Sequence, residues 1–168
     1  MLKGTIKSLT LAAMLTTGAV AANAADYTIR ATANSNENDE DYDGLVVFKN
    51  YVESASNGAI EVELFIGTQL CSKGAECLQG VADGSIDVYI STSGGAAGIF
   101  PYVQVLDLPY LMADDRVAEH VLSGDFTRTV RKMALENSGD KNRLMTIGNI
   151  GGWSNFLNTH RRVQNQDD

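Results

Sequence analysis

The sequence predicts an α/β fold with a mostly parallel sheet flanked by helices. Three observations support this prediction. Short segments rich in β-favouring residues alternate with amphipathic helical segments, turn-forming residues separate them, and the order is β-α-β-α-β followed by α-α-β-β. Because parallel neighbouring strands are joined by crossover helices, this alternation favours a mostly parallel sheet with helices on its faces.

The first strand and the first helix follow from composition and spacing. Segment 26–34 is rich in β-favouring residues and ends in the turn-forming run Asn34-Ser35-Asn36, which is typical of a strand. An acidic run at 37–43 follows; it lacks the spaced ligands of a calcium loop, so we interpret it as a solvated helix start. Apolar residues spaced by three and four then predict one helical face: Leu45, Phe48, Val52 and Ala55.

The remaining elements are predicted in the same way. Alternating apolar and acidic residues at 60–66 predict a half-buried strand, and the apolar run at 86–90 predicts a buried strand that leads into a polar, glycine-rich stretch. Aspartate and glycine signals bound the helical segments. The other predicted helices are 75–82, 113–122 and 126–137, and the other predicted strands are 144–147 and 153–157.

The first 24 residues have the organisation of a secretory signal peptide. Lys3 and Lys7 precede an uncharged apolar stretch at 9–22, and Ala22-Asn23-Ala24 is a small-x-small cleavage site. The apolar stretch is too short for a transmembrane anchor, which needs about 20 residues. We therefore expect cleavage after Ala24 and a mature domain, residues 25–168, in the periplasm.

The net charge of the mature chain limits the classes of molecule that it is expected to bind. The signal contains two of the 13 basic residues and none of the 21 acidic residues, so the mature chain carries a net charge of −10. Such a surface repels phosphate backbones, and we expect no nucleic-acid partner. No apolar run after Ala24 is long enough to span a bilayer, so we expect no membrane insertion of the mature chain.

The two cysteines, Cys71 and Cys77, are predicted to form a structural disulfide. An exported chain meets an oxidising compartment, and an even number of cysteines there favours a bridge. Their spacing is not that of a CxxC redox motif, and no histidine lies nearby to complete a zinc site. We expect no metal site in this chain.

Signatures of catalysis are absent from the sequence. There is no Gly-x-Ser-x-Gly nucleophile motif, and the cysteines are expected to be paired. The glycine-rich stretch at 94–98 lacks both the P-loop lysine and the dinucleotide-binding spacing, so we interpret it as a flexible loop. These observations predict a protein that is not an enzyme and carries no cofactor.

Small polar residues follow three of the predicted strands, which favours ligand binding. In open parallel sheets, ligands bind beyond the carboxyl ends of the strands. Short hydroxyl and amide side chains supply hydrogen bonds there, and a tryptophan supplies an apolar wall. The alternative is that these residues only form turns. The candidate ligand-binding residues are Asn34, Ser35, Ser91, Thr92, Ser93, Trp153, Ser154 and Asn155.

Several motifs together resemble the solute-binding proteins of TRAP transporters, the DctP-like family. The strand 58–65 is similar to the family pattern G-x-I-x-V-x-L-F, and 76–87 resembles its E-x-L-x-G-V-x-x-G-x-I-D run. The segment 106–111 resembles x-x-L-P-Y-L/F, and 156–168 resembles F-x-N-[ST]-K-R-P-[VI] followed by E-D-L-K-G. The order and spacing of these motifs carry the resemblance across the whole mature chain.

The resemblance implies a periplasmic binding protein of two α/β lobes that closes around a small organic acid. Such proteins deliver their solute to an ion-coupled membrane permease and are not enzymes. The family fold is about twice as long as this chain, so we expect an N-terminal fragment that contains mainly the first lobe, without the long hinge helix. We expect this fragment alone not to bind a solute tightly.

The resemblance carries over to particular residues only in part. Asn34 and Thr92, with Ser91 and Ser93 beside it, match ligand-contacting positions of the family. Ser154 stands where the family has a carboxylate-binding arginine, and a second such arginine lies beyond Asp168, which argues against a simple dicarboxylate. The disulfide is interpreted as a subgroup-specific staple outside the site. The alternative function is a self-sufficient periplasmic interaction domain with no transport role.

Overall fold

The computed structural model of the chain describes residues 25–109 and 111–149. The predicted signal peptide, the predicted strand at 153–157 and the candidate residues Trp153, Ser154 and Asn155 lie outside these ranges. The elements are β1 (Tyr27–Ala33), α1 (Glu40–Ala55), β2 (Ile60–Ile66), α2 (Gly74–Asp83), β3 (Val88–Ile90), α3 (Ser93–Ala96), a 3-10 helix (Pro101–Asp107), α4 (Asp115–Ser123) and α5 (Asp125–Asn137).

The three strands form a parallel sheet in the order β2-β1-β3, which confirms the predicted fold class. Ala33, the last residue of β1, pairs with Ile66 of β2 and with Ile90 of β3. The three strands therefore end level with one another. We call the set of residues that directly follow these ends the carboxyl edge of the sheet.

The main core lies between α1 and the sheet. Ala31 and Ala33 of the central strand and Val62 of β2 are fully buried, and Leu45 of α1 packs against them. Thr32, also fully buried, donates its hydroxyl to the Phe65 carbonyl at 2.7 Å, so the sheet interior holds no unpaired threonine. The predicted helical face is confirmed for Leu45, Phe48 and Val52, whereas it is wrong for Ala55, which is exposed near the end of the helix.

Two side chains of α1 protect the outer edge of β2. Val62 donates its backbone N–H to Glu53 Oε1 at 2.9 Å, and Lys49 Nζ donates to the Val62 carbonyl at 2.6 Å. Lys49 also donates to Glu53 at 2.6 Å, and this hydrogen bond lowers the pKa of the Glu53 carboxyl. The backbone N–H and carbonyl of Val62 at the exposed edge of the sheet are thus satisfied by the helix that packs above it.

A second core lies between the 3-10 helix and α5. Phe100, Val103 and Val130 are buried together. Asp114 caps the N-terminus of α4, since its Oδ1 accepts from the Val117 N–H at 3.0 Å. The helices predicted at 113–122 and 126–137 are confirmed as α4 and α5, whereas the 3-10 helix was not predicted from the sequence pattern. Among the described residues, no helix is long and apolar enough to cross a membrane.

The prediction of a strand at 144–147 is wrong. This segment has no regular secondary structure. Its apolar residues Leu144 and Ile147 pack against the second core, and the Leu144 carbonyl accepts a hydrogen bond from Arg131 Nε at 3.0 Å. The helices, and not a sheet, partly bury Leu144 and Ile147. A carbonyl that a strand would pair with a neighbouring strand is satisfied by a side chain.

The prediction of a flexible loop at 94–98 is also wrong. Residues 93–96 form the short helix α3, and Thr92 Oγ1 accepts from the Gly95 N–H at 3.1 Å at its start. The first residue of α2 lies directly against this helix, because a Cβ built on Gly74 would be 2.8 Å from Gly95 Cα. The glycines allow two backbones to approach closely.

This close approach gives a testable prediction. Gly74→Ala is expected to lower the free energy of unfolding by about 1–2 kcal/mol, because the new methyl group meets backbone atoms that have to move. Urea unfolding followed by far-ultraviolet circular dichroism measures the change. Gly94→Ala is the matched control, since nothing lies within 4 Å of a Cβ at that position. Equal unfolding midpoints for the two variants would contradict the close approach.

Candidate functional site

The carboxyl edge brings two of the predicted polar clusters together. Asn34 follows Ala33 of the central strand, and Ser91 follows Ile90 of the neighbouring strand β3, at the same level of the sheet. Asn34 is exposed, whereas Ser35 and Ser91 are half-buried. The structure thus places Asn34, Ser35, Ser91, Thr92 and Ser93 at one edge, where a parallel sheet holds its ligand.

The Asn34 carboxamide is held on both sides. Its Nδ2 donates to the carbonyl of Cys71 at 3.0 Å and to that of Gly67 at 3.4 Å. Its Oδ1 accepts from the hydroxyl of Tyr89 at 2.5 Å. The side chain that ends β1 is therefore tied both to the loop after β2 and to strand β3, and its orientation is set by three neighbours.

The predicted disulfide between Cys71 and Cys77 is confirmed. Both cysteines are buried, and they form a small core with Ile86 that Tyr89 covers. Although the cysteines were expected to lie outside the site, they are adjacent to it. The Cys71 carbonyl accepts from Asn34, and Cys77 Sγ contacts Asn34 Oδ1 at 3.3 Å. The disulfide therefore fixes the loop on which the Asn34 amide rests.

The three residues after β3 already use part of their hydrogen-bonding capacity. Ser91 donates its hydroxyl to the Thr92 carbonyl at 3.0 Å. Thr92 caps α3 through its side-chain oxygen, and Ser93 donates to the carboxylate of Asp107 at the end of the 3-10 helix. These bonds order the segment, and they leave hydroxyl lone pairs at the edge.

Tyr89 is a residue of this edge that the sequence did not reveal. Burial raises the pKa of its hydroxyl above the ordinary value, and the negative charge of Asp41 raises it further. The phenol therefore stays protonated and acts as the donor to Asn34. Because its neighbours Val88 and Ile90 are apolar, the sequence pattern predicted a core strand. Nothing in that pattern indicated that the Tyr89 hydroxyl contacts the carboxyl edge.

Asp41 is a second residue near the carboxyl edge that was not among the predicted candidate residues. Its Oδ1 and the Ser35 Oγ are buried without a hydrogen-bond partner among the described residues. Burial raises the pKa of Asp41, and repulsion from Asp39 and Glu40 raises it further, while the nearby Ser35 hydroxyl lowers it in part. The solvated start predicted for α1 is wrong at this position. The helical spacing could have identified Asp41 as buried, because it precedes the buried Leu45 by four residues and so lies on the same face of α1.

The chemistry of the edge is that of hydrogen bonding. Its groups are an amide, hydroxyls and carboxylates, and the two cysteines are oxidised. Within 25–109 and 111–149, no group of three or more histidine, cysteine and acidic side chains is arranged to hold a metal ion. A parallel sheet whose carboxyl edge carries such groups defines an α/β ligand-binding unit.

Comparison with known proteins assigns this unit to a family. The family model for bacterial extracellular solute-binding proteins, family 7 (DctP), matches residues 31–168. The chain belongs to this family. The resemblance that its motifs indicate is therefore confirmed, and so is the α/β fold that it implies.

Individual relatives agree with the assignment. The chain is 26% identical over 144 residues to the 2,3-diketo-L-gulonate-binding periplasmic protein YiaO of Escherichia coli K12. A TRAP periplasmic solute-binding protein from Desulfovibrio salexigens, solved with orotic acid, is 25% identical with a TM-score of 0.61. One from Sulfurospirillum deleyianum, solved with succinate, is 24% identical with a TM-score of 0.62, which supports the fold alone.

The chain spans less than half the length of these relatives. The match to YiaO covers 86% of this chain and 42% of YiaO. Each of the two solved structures is matched over 67% of this chain and 36% of its own length. The residues discussed above therefore correspond to a part of the complete proteins.

Proposed function

We propose that this protein is the periplasmic solute-binding subunit of a TRAP-type transporter. It captures a small organic acid or a related polar solute and delivers it to an ion-coupled membrane permease. The observation that carries the proposal is the level carboxyl edge, where Asn34 and the segment Ser91–Ser93 meet in a chain of the DctP family. Relatives that bind 2,3-diketo-L-gulonate and orotic acid support the class of solute.

The proposed site extends beyond the described residues. Residues 1–24 act as a signal peptide, and residues 25–168 contribute mainly the first lobe of a two-lobed domain. Solute binding then selects a closed arrangement of the lobes, because contacts from both sides stabilise it. The ligand-contacting residues are Asn34, Ser35, Ser91, Thr92, Ser93, Trp153, Ser154 and Asn155.

Export followed by solute titration tests the proposal. The full chain is produced in a bacterium, and the periplasmic fraction is expected to contain a protein that starts at Ala25. Titration with 2,3-diketo-L-gulonate, orotate and succinate at millimolar concentrations is expected to raise the thermal midpoint for at least one solute, since ligands stabilise the state they bind. The fluorescence of Trp153, the only tryptophan, reports on the same event.

A matched pair of serine variants controls this experiment. Ser91→Ala removes a hydroxyl at the carboxyl edge and is expected to weaken the thermal shift. Ser54→Ala removes one from the exposed surface of α1 and is expected to leave it unchanged. Retention of the chain in the cytoplasm, or no shift with any solute, would contradict the proposal and favour a self-sufficient interaction domain.

A further inference from the structure

The orientation of the Asn34 carboxamide determines which part of it is free. Both protons of Nδ2 face backbone carbonyls, those of Cys71 and Gly67. A flipped amide would place Oδ1 against two other oxygen acceptors and leave all three unpaired. The NH2 group is therefore committed to the loop after β2, and it has no proton left for a solute.

The other side of the amide retains hydrogen-bonding capacity. Oδ1 accepts a hydrogen bond from Tyr89 and lies 3.3 Å from Cys77 Sγ, a disulfide sulfur that has no proton to donate. An amide oxygen has two lone pairs, so one remains without a donor. The Tyr89 hydroxyl can only donate in this contact because Oδ1 carries no proton. Asn34 is exposed at the edge, so the remaining capacity of its side chain is that of an acceptor.

Two neighbouring hydroxyls have the same polarity. Ser91 gives its proton to the Thr92 carbonyl, and Ser93 gives its proton to Asp107. Their oxygens keep lone pairs, and Asp107 is an acceptor when ionised. Thr92 differs, because its Oγ1 accepts from the Gly95 N–H and keeps its own proton. Among these side chains a solute carboxylate, which consists only of acceptors, finds its donor in Thr92, whereas a solute hydroxyl finds several acceptors.

We propose that the carboxyl edge binds hydroxyl groups of the solute as hydrogen-bond donors, with Asn34 Oδ1 as the specificity-determining acceptor. The Cys71–Cys77 disulfide and Tyr89 are positioning groups that hold the amide in this orientation. The inference rests on the proposed function and narrows its solute class to hydroxylated acids. The carboxylate of the solute is bound by groups other than Asn34.

Matched solutes separate donor recognition from acceptor recognition. D-galacturonate, D-gluconate and L-malate each carry hydroxyls next to a carboxylate, and their O-methyl ethers keep the oxygen but lose the proton. We expect the hydroxyl forms to bind the full chain about tenfold more tightly than the ethers, because an ether oxygen leaves Asn34 Oδ1 facing another acceptor. Nuclear magnetic resonance of the 13C,15N-labelled chain measures binding down to millimolar affinity.

The same spectra report on the amide itself. We expect a correlation across the hydrogen bond from Asn34 Nδ2 to the Cys71 carbonyl, and its persistence when a hydroxylated acid is added. The carboxamide carbon of Asn34 is expected to shift with the hydroxyl forms and not with the ethers. Loss of the correlation on binding would show that the amide donates to the solute and would overturn the inference.

Two variants test the positioning groups. Tyr89→Phe removes the hydroxyl that bonds Asn34 Oδ1, and Cys71→Ala with Cys77→Ala releases the loop that accepts from Nδ2. Each is expected to reduce the preference for hydroxyl over ether several-fold while backbone resonances elsewhere stay in place. Tyr51→Phe is the matched control, because Tyr51 is 73% exposed on α1.

The outcomes separate this inference from the proposed function. Equal binding of hydroxyl and ether forms would overturn the inference while leaving solute binding intact. A preference that Tyr89→Phe and the cysteine variant do not change would overturn the positioning role. Binding of none of these solutes and of none used above would contradict the proposed function, and the inference with it.

Discussion

Replacement of Leu45 by alanine is expected to lower the free energy of unfolding by about 3 kcal/mol. Leu45 is 1% exposed and packs against Ala31, Ala33 and Val62, which are fully buried. The side chains of the two alanines end at Cβ, so they cannot fill the space that the truncation leaves. The loss therefore includes both the transfer of the removed atoms and the residual cavity. Urea unfolding followed by far-ultraviolet circular dichroism measures it.

Val47→Ala is the matched control for this change. Val47 lies on the same helix two residues further along and is 69% exposed. Its truncation is expected to change the free energy of unfolding by no more than about 0.5 kcal/mol. Comparable destabilisation by the two variants would show that α1 does not bury its Leu45 face against the sheet.

Removal of the disulfide is expected to lower the free energy of unfolding by about 2 kcal/mol. Cys71 and Cys77 are six residues apart, so the bridge closes a short loop, and the chain-entropy model assigns a modest effect to such a loop. Both residues are nevertheless buried, and the loop they close accepts a hydrogen bond from Asn34. The double variant Cys71→Ala, Cys77→Ala is compared with the parent chain by the midpoint of urea unfolding.

A thiol reductant provides an independent control for the disulfide. Dithiothreitol exchanges with the bridge to give two cysteine thiols and its own cyclic disulfide. It is expected to move the parent chain's midpoint toward that of the double variant and to leave the midpoint of the variant unchanged. A parent midpoint that is insensitive to the reductant, with free thiols verified by alkylation, would contradict a stabilising bridge.

Local patterns in the sequence were sufficient for most of the fold. The spacing of Leu45, Phe48 and Val52 identified the face of α1 that packs on the sheet, although Ala55, predicted with them, is exposed. Strict alternation identified β2 at Ile60–Ile66. Both patterns are direct consequences of helical and strand periodicity, so they do not depend on a partner element. The cysteine pair was predictable for a different reason, since compartment and parity favour a bridge without any knowledge of geometry.

Periodicity alone gave a wrong prediction where the conformation of a segment depends on the element that packs against it. The apolar pattern at 144–147 is compatible with a strand, but the helices of the second core bury Leu144 and Ile147 instead. A strand also needs a neighbouring backbone, and the Leu144 carbonyl is satisfied by Arg131. The glycines at 94 and 95 looked like loop residues for a similar reason. Of the two, only Gly95 lies against Gly74 of α2, and this contact joins residues some twenty positions apart in sequence.

At the carboxyl edge, too, some features were predictable from the sequence and others required the tertiary structure. Asn34 and the segment Ser91–Ser93 were recognisable as polar residues after strands, because strand ends in a parallel sheet lie at one edge whatever the loops do. The roles of Tyr89 and the disulfide required the tertiary structure. Each acts on Asn34 through a contact between segments distant in sequence. Only the packed chain shows that the amide NH2 group donates to the loop after β2 while its oxygen accepts from Tyr89.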